Sequence, residues 1–184
     1  MAERYDINRV SEIHDRNIFV DANVLIYWNW ASAGSEQKAI DYSTVYLALV
    51  KQKNKLFVDF LVISEVVNRI IKEQYKAKIE TEKRTDSGFK LSYKQYRNSR
   101  EGQTTLNDVY TVIKNQIEDF NIIGKSFSED DIKSFLTVDT LDFIDKGILS
   151  ICQENNFVLL TNDKDYKNSD IDLLTCNKQV LNLK

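Results

Sequence analysis

The sequence predicts an α/β fold, with a central, mostly parallel sheet of about four to five strands and helices packed against it. Three observations carry this. Short apolar runs of strand type alternate with longer stretches of helical periodicity. Two of the runs, Ile18-Phe19-Val20 and Phe157-Val158-Leu159-Leu160, are continuously apolar and read as buried strands, and each is followed by an aspartate. No internal repeat or Pro/Gly/Ser-rich linker divides the 184 residues, a length that one domain over 1–184 accommodates.

The elements follow in order. Residues 1–16 are polar and read as an irregular or helical lead-in. The strand at 17–21 is followed by a crowded apolar segment from Asn23 to Trp30, and Ala31-Ser32-Ala33-Gly34-Ser35 reads as a break. The next helix has Ser35 as its cap, carries Ile40, Ser43, Leu47 and Val50 at helical spacing, and closes in Lys51-Gln52-Lys53-Asn54. Leu56-Phe57-Val58 is a short strand. Asp59 then caps a helix bearing Leu61, Val62, Glu65, Val66, Ile70 and Ile71. Helical periodicity returns from Leu106 to Phe120, with Val109, Tyr110, Ile113 and Ile117 on the same face.

Asn121-Ile122-Ile123-Gly124 reads as a short strand. Ser128 and Asp131 form a capping box for the helix after it. The acids Glu129, Asp130 and Asp131 suit the positive end of that helix. Leu141 to Glu154 is helical, with Ile144, Ile148, Leu149, Ile151 and Cys152 as core and Asp142 and Asp145 near its start. After the strand at 157–160 comes Thr161-Asn162-Asp163-Lys164-Asp165, and Ile171 to Cys176 reads as a last, edge strand.

Composition excludes several chemistries. The only histidine is His14, so histidine-based triads and His-ligated zinc are poor fits, and acid–base or metal chemistry falls to carboxylates. Five scattered glycines form no phosphate-binding loop. The two cysteines, Cys152 and Cys176, lie in apolar runs and read as reduced thiols of a cytoplasmic protein. No run is long enough to span a membrane, and the charged N-terminus does not read as a signal peptide. A net charge of −3 argues against a generally basic nucleic-acid binder but leaves room for a local basic patch.

Such a patch has a candidate between 72 and 103, where polarity rises. Lys90, Lys94, Arg97 and Arg100 recur every three or four residues, so one continuous helix would align them, and Phe89, Tyr93 and Tyr96 share the spacing. Bases with interleaved aromatics suit single-stranded nucleic acid, through phosphate attraction and stacking. The plainer reading is a solvated helix with an aromatic packing stripe, or a segment partly without order.

Four acids stand out by context: Asp21 and Asp163 after the two apolar strands, Glu65 within an apolar helix, and Asp145 near a helix start. Glu65 reads equally as the edge of an apolar stripe. Acids at the C-terminal ends of parallel strands converge on one edge of the sheet, where open α/β folds bind ligands. Crowded carboxylates repel and their pKa values rise unless a cation neutralises them. Mg²⁺ or Mn²⁺ suits oxygen ligands and can polarise a phosphodiester and activate a water.

The same residues carry a resemblance. Phe19-Val20-Asp21-Ala22-Asn23-Val24-Leu25-Ile26-Tyr27 resembles the opening motif of PIN domains, and Ser64-Glu65-Val66-Val67-Asn68 their second acidic motif. Asp145-Lys146-Gly147-Ile148 is similar to the third, and Leu159-Leu160-Thr161-Asn162-Asp163 to the fourth, with its strand ending in Thr-x-Asp. The match spans about 17–74 and 105–176 and leaves a basic, aromatic insert, helical or flexible, at about 76–103. The resemblance implies a PIN-like three-layer αβα fold and a Mg²⁺- or Mn²⁺-dependent ribonuclease with Asp21, Glu65, Asp145 and Asp163 as its metal-site acids. It implies that Asn23 and Thr161 orient ligands or water, with Asp142 and Asp165 as alternatives to those acids. Many small bacterial members, the VapC-like proteins, are toxins paired with an antitoxin, and the family often forms homodimers. A non-catalytic PIN-like module that docks RNA or a protein is the alternative. An aspartyl-phosphate phosphatase wants a second acid where Asn23 stands, and a receiver wants paired acids before the first helix.

Overall fold

The computed structural model describes residues 2–30 and 35–181. The expected break at 31–34 lies outside them. Among the described residues six strands form one sheet: β1 (Arg4–Asp6), β2 (Asn17–Val20), β3 (Lys55–Val58), β4 (Asn121–Ile122), β5 (Val158–Leu160) and β6 (Leu173–Thr175). Their order is β1-β6-β5-β2-β3-β4, and every pairing is parallel. The class is the expected α/β, with more strands than the sequence suggested.

The additional strand is β1, in the stretch that reads as an irregular or helical lead-in. No apolar alternation marks it. The Arg4 guanidinium holds it, donating to the carbonyls of Ile171 (2.8 Å) and Lys167 (3.2 Å). Asp6 then caps a 3₁₀ turn over Ile7–Glu12. Because β1 pairs with β6, the strand expected at the edge lies inside the sheet and is buried at all three positions. The free edge on the other side is β4, only two residues long and exposed; a short edge limits stray pairing.

Between the strands run α1 (Ala22–Asn29), α2 (Glu36–Lys51), α3 (Phe60–Thr85), α4 (Tyr93–Asn98), α5 (Arg100–Gln116), α6 (Glu129–Phe135) and α7 (Phe143–Asn155). The crossovers from β2 to β3 and from β3 to β4 step the same way along the sheet, and α1 packs on both α2 and α3. The return from β4 to β5 steps the opposite way, so right-handed connections carry α7 over the other face.

Helix faces were only partly legible. In α2 the stripe Ile40, Leu47, Val50 is exposed and the buried stripe is Tyr42, Val45, Leu49. Both stripes have helical spacing, and the sheet accepts only one. In α5, Tyr110 is exposed while Leu106 and Val109 are buried. In α7, Ile148, Ile151 and Cys152 are buried, whereas Ile144 is exposed. The expected caps are present at Asp59, which accepts from the Val62 N–H at 2.9 Å, and at Ser128 with Asp131.

The stretch expected to be a flexible or singly helical insert is a helical hairpin. Helix α3 extends to Thr85, and the chain returns through α4 to α5, packed along α3. A second small core of Ile71, Tyr96 and Leu106 fixes this arm. Ser92 and Ser99 cap α4 and α5 separately, so Lys90, Lys94, Arg97 and Arg100 do not share one continuous helix. Tyr96 is buried and cannot stack on a base. Tyr93 packs edge-on against Tyr75, with ring centroids 5.6 Å apart. Among the described residues, no helix is long and apolar enough to cross a membrane.

Candidate active site

The chain leaves β2 toward β3 and leaves β5 toward β6, in opposite directions along the sheet. These two strands are neighbours, with Val20 opposite Leu160. The crevice at their C-terminal ends is therefore the topological switch point, the place where open parallel sheets bind ligands. Asp21 and Thr161 are the first residues beyond the two strands, and both are buried.

Asp21 also caps α1. One carboxylate oxygen accepts from the Ala22 N–H at 2.7 Å. The other accepts from the Thr161 hydroxyl at 2.5 Å and from the Asn23 amide. Thr161 in turn accepts from the Asp163 N–H at 2.9 Å, and Asn23 Oδ1 accepts from the Asn162 N–H, also at 2.9 Å. Thus Asn23 and Thr161 tie the loop after β5 to the start of α1, fixing Asp21 and Asp163 relative to each other. Asp163 accepts from the Asp165 N–H at 2.8 Å. Asp165 also lines a neighbouring cleft of ≈ 490 Å³ with Thr140, Lys164 and Lys167.

The other two acids arrive on helices. Glu65 lies one and a half turns into α3, half-buried. Asp142 caps α7, accepting from the N–H groups of Ile144 and Asp145 at 2.8 and 2.9 Å, so its backbone-capping role accounts for its position. Asp145 accepts from the hydroxyl of Tyr166 at 2.8 Å. Tyr166 is fully buried, and sequence reasoning missed it, since one tyrosine in a polar loop carries no periodic signal.

These acids feel one another. Burial pushes the Asp21 carboxyl up to about 7; Glu65 and Asp145 push the same way, against the Thr161 and Ala22 hydrogen bonds. Burial likewise raises Asp145 to about 6, opposed by Tyr166 and reinforced by Asp142, Asp163 and Glu65. Glu65 is raised by burial, with Arg69 opposing and Asp142 and Asp163 reinforcing. The sequence-derived quartet is thus one electrostatic cluster drawn from four distant segments. Among the described residues, though, no three Asp, Glu, His or Cys side chains close on a single point that would cage an ion. The donors are all oxygens. They fit a hydrated Mg²⁺ or Mn²⁺, which takes one or two carboxylates and keeps waters, and not a closed zinc-type site.

The basic residues expected to meet RNA do not join this cluster. Lys90 lines a separate cleft of ≈ 510 Å³ with Tyr75 and Lys83. Lys83 lies eighteen residues beyond Glu65 on α3, about 27 Å along the helix axis.

No family model matches the chain, and no curated protein matches it. Among solved structures, VapBC2 from Rickettsia felis, bound to a DNA fragment from its promoter, superimposes with a TM-score of 0.48. Identity is 15%, over 86% of this chain and 98% of that one. PAE2754 from Pyrobaculum aerophilum gives a TM-score of 0.49 and 17% identity, over 91% of this chain and 89% of that one. Likeness at this level carries neither a family nor an activity across, and the functional reading rests on the site itself and on the motifs that form it.

Proposed function

We propose that the chain is a divalent-metal-dependent ribonuclease that hydrolyses phosphodiester bonds of single-stranded or structured RNA. The observation that carries the reading is the position of Asp21: a buried carboxylate at the switch point, its charge opposed by Glu65 and Asp145. A cation would reverse that opposition, because each carboxylate then has a charge partner in place of a like charge. Mg²⁺ or Mn²⁺, held by Asp21 and Asp163 with Glu65 and Asp145 directly or through water, would activate the attacking water and steady the departing oxygen. Thr161 and Asn23 keep Asp21 oriented. Tyr166 occupies one oxygen of Asp145 and leaves the other free to face the metal or its water. RNA as substrate, an antitoxin partner and a homodimer rest on the motif resemblance.

The test is cleavage of an RNA pool in Mg²⁺ or Mn²⁺, with loss of activity on adding EDTA and in Asp21→Asn. Cleavage that persists in Asp21→Asn overturns the mechanism. A second reading, a non-catalytic module that docks RNA or a protein, is favoured by the lack of three gathered ligands among the described residues. Calorimetry separates the two, since the module takes up no Mn²⁺ at millimolar concentration.

A further inference from the structure

Helix α3 carries more than Glu65 toward the crevice. Glu65, Arg69, Lys72 and Lys76 follow one another at spacings of four, three and four residues, which places them on one helix face. A cleft of ≈ 420 Å³ runs along that face, lined by Glu65, Asn68, Arg69, Lys72, Lys76 and, from α7, Ile144. Ile144 stands between Asp142 and Asp145 in the chain, so the cleft opens directly from the acid cluster. Measured along the axis, Lys72 and Lys76 lie about 10 and 16 Å beyond Glu65.

The charges in this cleft are available. Lys72 and Lys76 make no ion pair among the described residues, and both are exposed. Lys90 and Lys94 are likewise without an ion pair among the described residues, so what sets Lys72 and Lys76 apart is the cleft they share with Glu65. Arg69 pairs with Glu73, which also lines the cleft, in an exposed i,i+4 bridge of little net worth, so its guanidinium can exchange partners at small cost. The chain as a whole is acidic, so a polyanion has to be met locally. Ile144, 39% exposed, adds an apolar side chain to the lining.

We propose that this α3 cleft seats one arm of the RNA strand, with Arg69, Lys72 and Lys76 meeting the phosphates on one side of the scissile bond. The proposal rests on the ribonuclease reading for the position of that bond. It moves the RNA-contacting surface from the distal segment of Lys90, Lys94, Arg97 and Arg100 to a face continuous with the acids. The i, i+4, i+7, i+11 pattern was available in the sequence. The aromatics that mark the later stretch are no sign of a nucleic-acid surface, since one of them, Tyr96, is core.

The test is fluorescence anisotropy of an end-labelled oligouridylate with the full-length Asp21→Asn chain, which holds substrate without cutting it. Lys72→Gln/Lys76→Gln is added in that background; Gln keeps helix propensity at exposed positions. Two lost phosphate contacts should flatten the slope of log K against log salt by about 1.4 and weaken binding about tenfold at 0.15 M salt. The matched Lys90→Gln/Lys94→Gln pair should change neither. In the otherwise native chain, Lys72→Gln/Lys76→Gln should raise KM, leave kcat in place and leave Mn²⁺ uptake by calorimetry unchanged. Unchanged affinity and slope, absence of any oligouridylate binding, or an equal loss from the Lys90/Lys94 pair overturns the proposal. Failure of the ribonuclease reading is seen separately, as absent Mn²⁺ uptake or cleavage indifferent to Asp21→Asn.

Discussion

Asp21→Asn should stabilise the metal-free protein above neutral pH while removing its activity. In the unfolded chain the Asp21 carboxyl titrates near its ordinary 3.8, and in the folded chain at about 7. The folded state therefore binds the proton more tightly, and stability is lost as pH rises from the first value through the second. The charge of this fully buried group costs about 2 kcal/mol at pH 5 and about 4 kcal/mol at pH 8. Asparagine carries no charge at either pH. It also presents an amide N–H₂ to the Asn23 amide, a mismatch of about 1–3 kcal/mol that is the same at both pH values and cancels in the comparison. The wild type should thus lose about 2–3 kcal/mol relative to the variant between pH 5 and pH 8. For a chain of this size that is about 5–10 °C in Tm. Thermal unfolding of both proteins in EDTA, followed by circular dichroism across that range, reads the difference directly. Adding Mn²⁺ should restore the wild type and leave the variant where it was. Parallel pH profiles in EDTA would refute the claim that burial and neighbouring acids, with no compensating cation, set the state of Asp21.

Two further predictions concern residues that the folded structure, and not the sequence, singles out. Tyr166→Phe removes the hydroxyl that donates to Asp145 and should weaken Mn²⁺ uptake about 10- to 100-fold by calorimetry, with unfolding shifted by only about 1 kcal/mol. Unchanged Mn²⁺ affinity would make that hydrogen bond a packing detail. Tyr96→Ala should cost about 3–5 kcal/mol in urea unfolding, as the loss of a large core ring does. A near-neutral effect would mean that the α3–α5 arm does not depend on its small core.

The strand-end acids were legible because continuous apolar runs mark interior parallel strands, and the polar residue that ends each run is conspicuous. Capping residues were legible for a similar local reason: Asp59 and Ser128 satisfy N–H groups within three residues of themselves. Strand β1 was not, since its stability comes from Arg4 reaching carbonyls more than 160 residues away. The face of α2 was not, since Ile40-Leu47-Val50 and Tyr42-Val45-Leu49 are equally periodic and differ only in what lies opposite them. In the basic stretch at 90–100 the aromatic packing stripe was legible and is present in Tyr93 and Tyr96, but the common basic face was not, since it assumes an unbroken helix and Ser99 starts a new one.

The sequence by itself therefore determined the α/β class and the alternation of elements, and it singled out four carboxylates by their context. These follow from local patterning, from the mismatch between a charge and its apolar neighbours, and from the motifs. Only the tertiary structure decided that β2 and β5 are neighbours leaving in opposite directions, which creates the crevice. It also decided that Thr161 and Asn23 lock Asp21, that Tyr166 reaches Asp145, and that Arg69, Lys72 and Lys76 line one cleft with Glu65. Each of those depends on strand order and helix packing between residues far apart in the chain, which no spacing along the chain encodes.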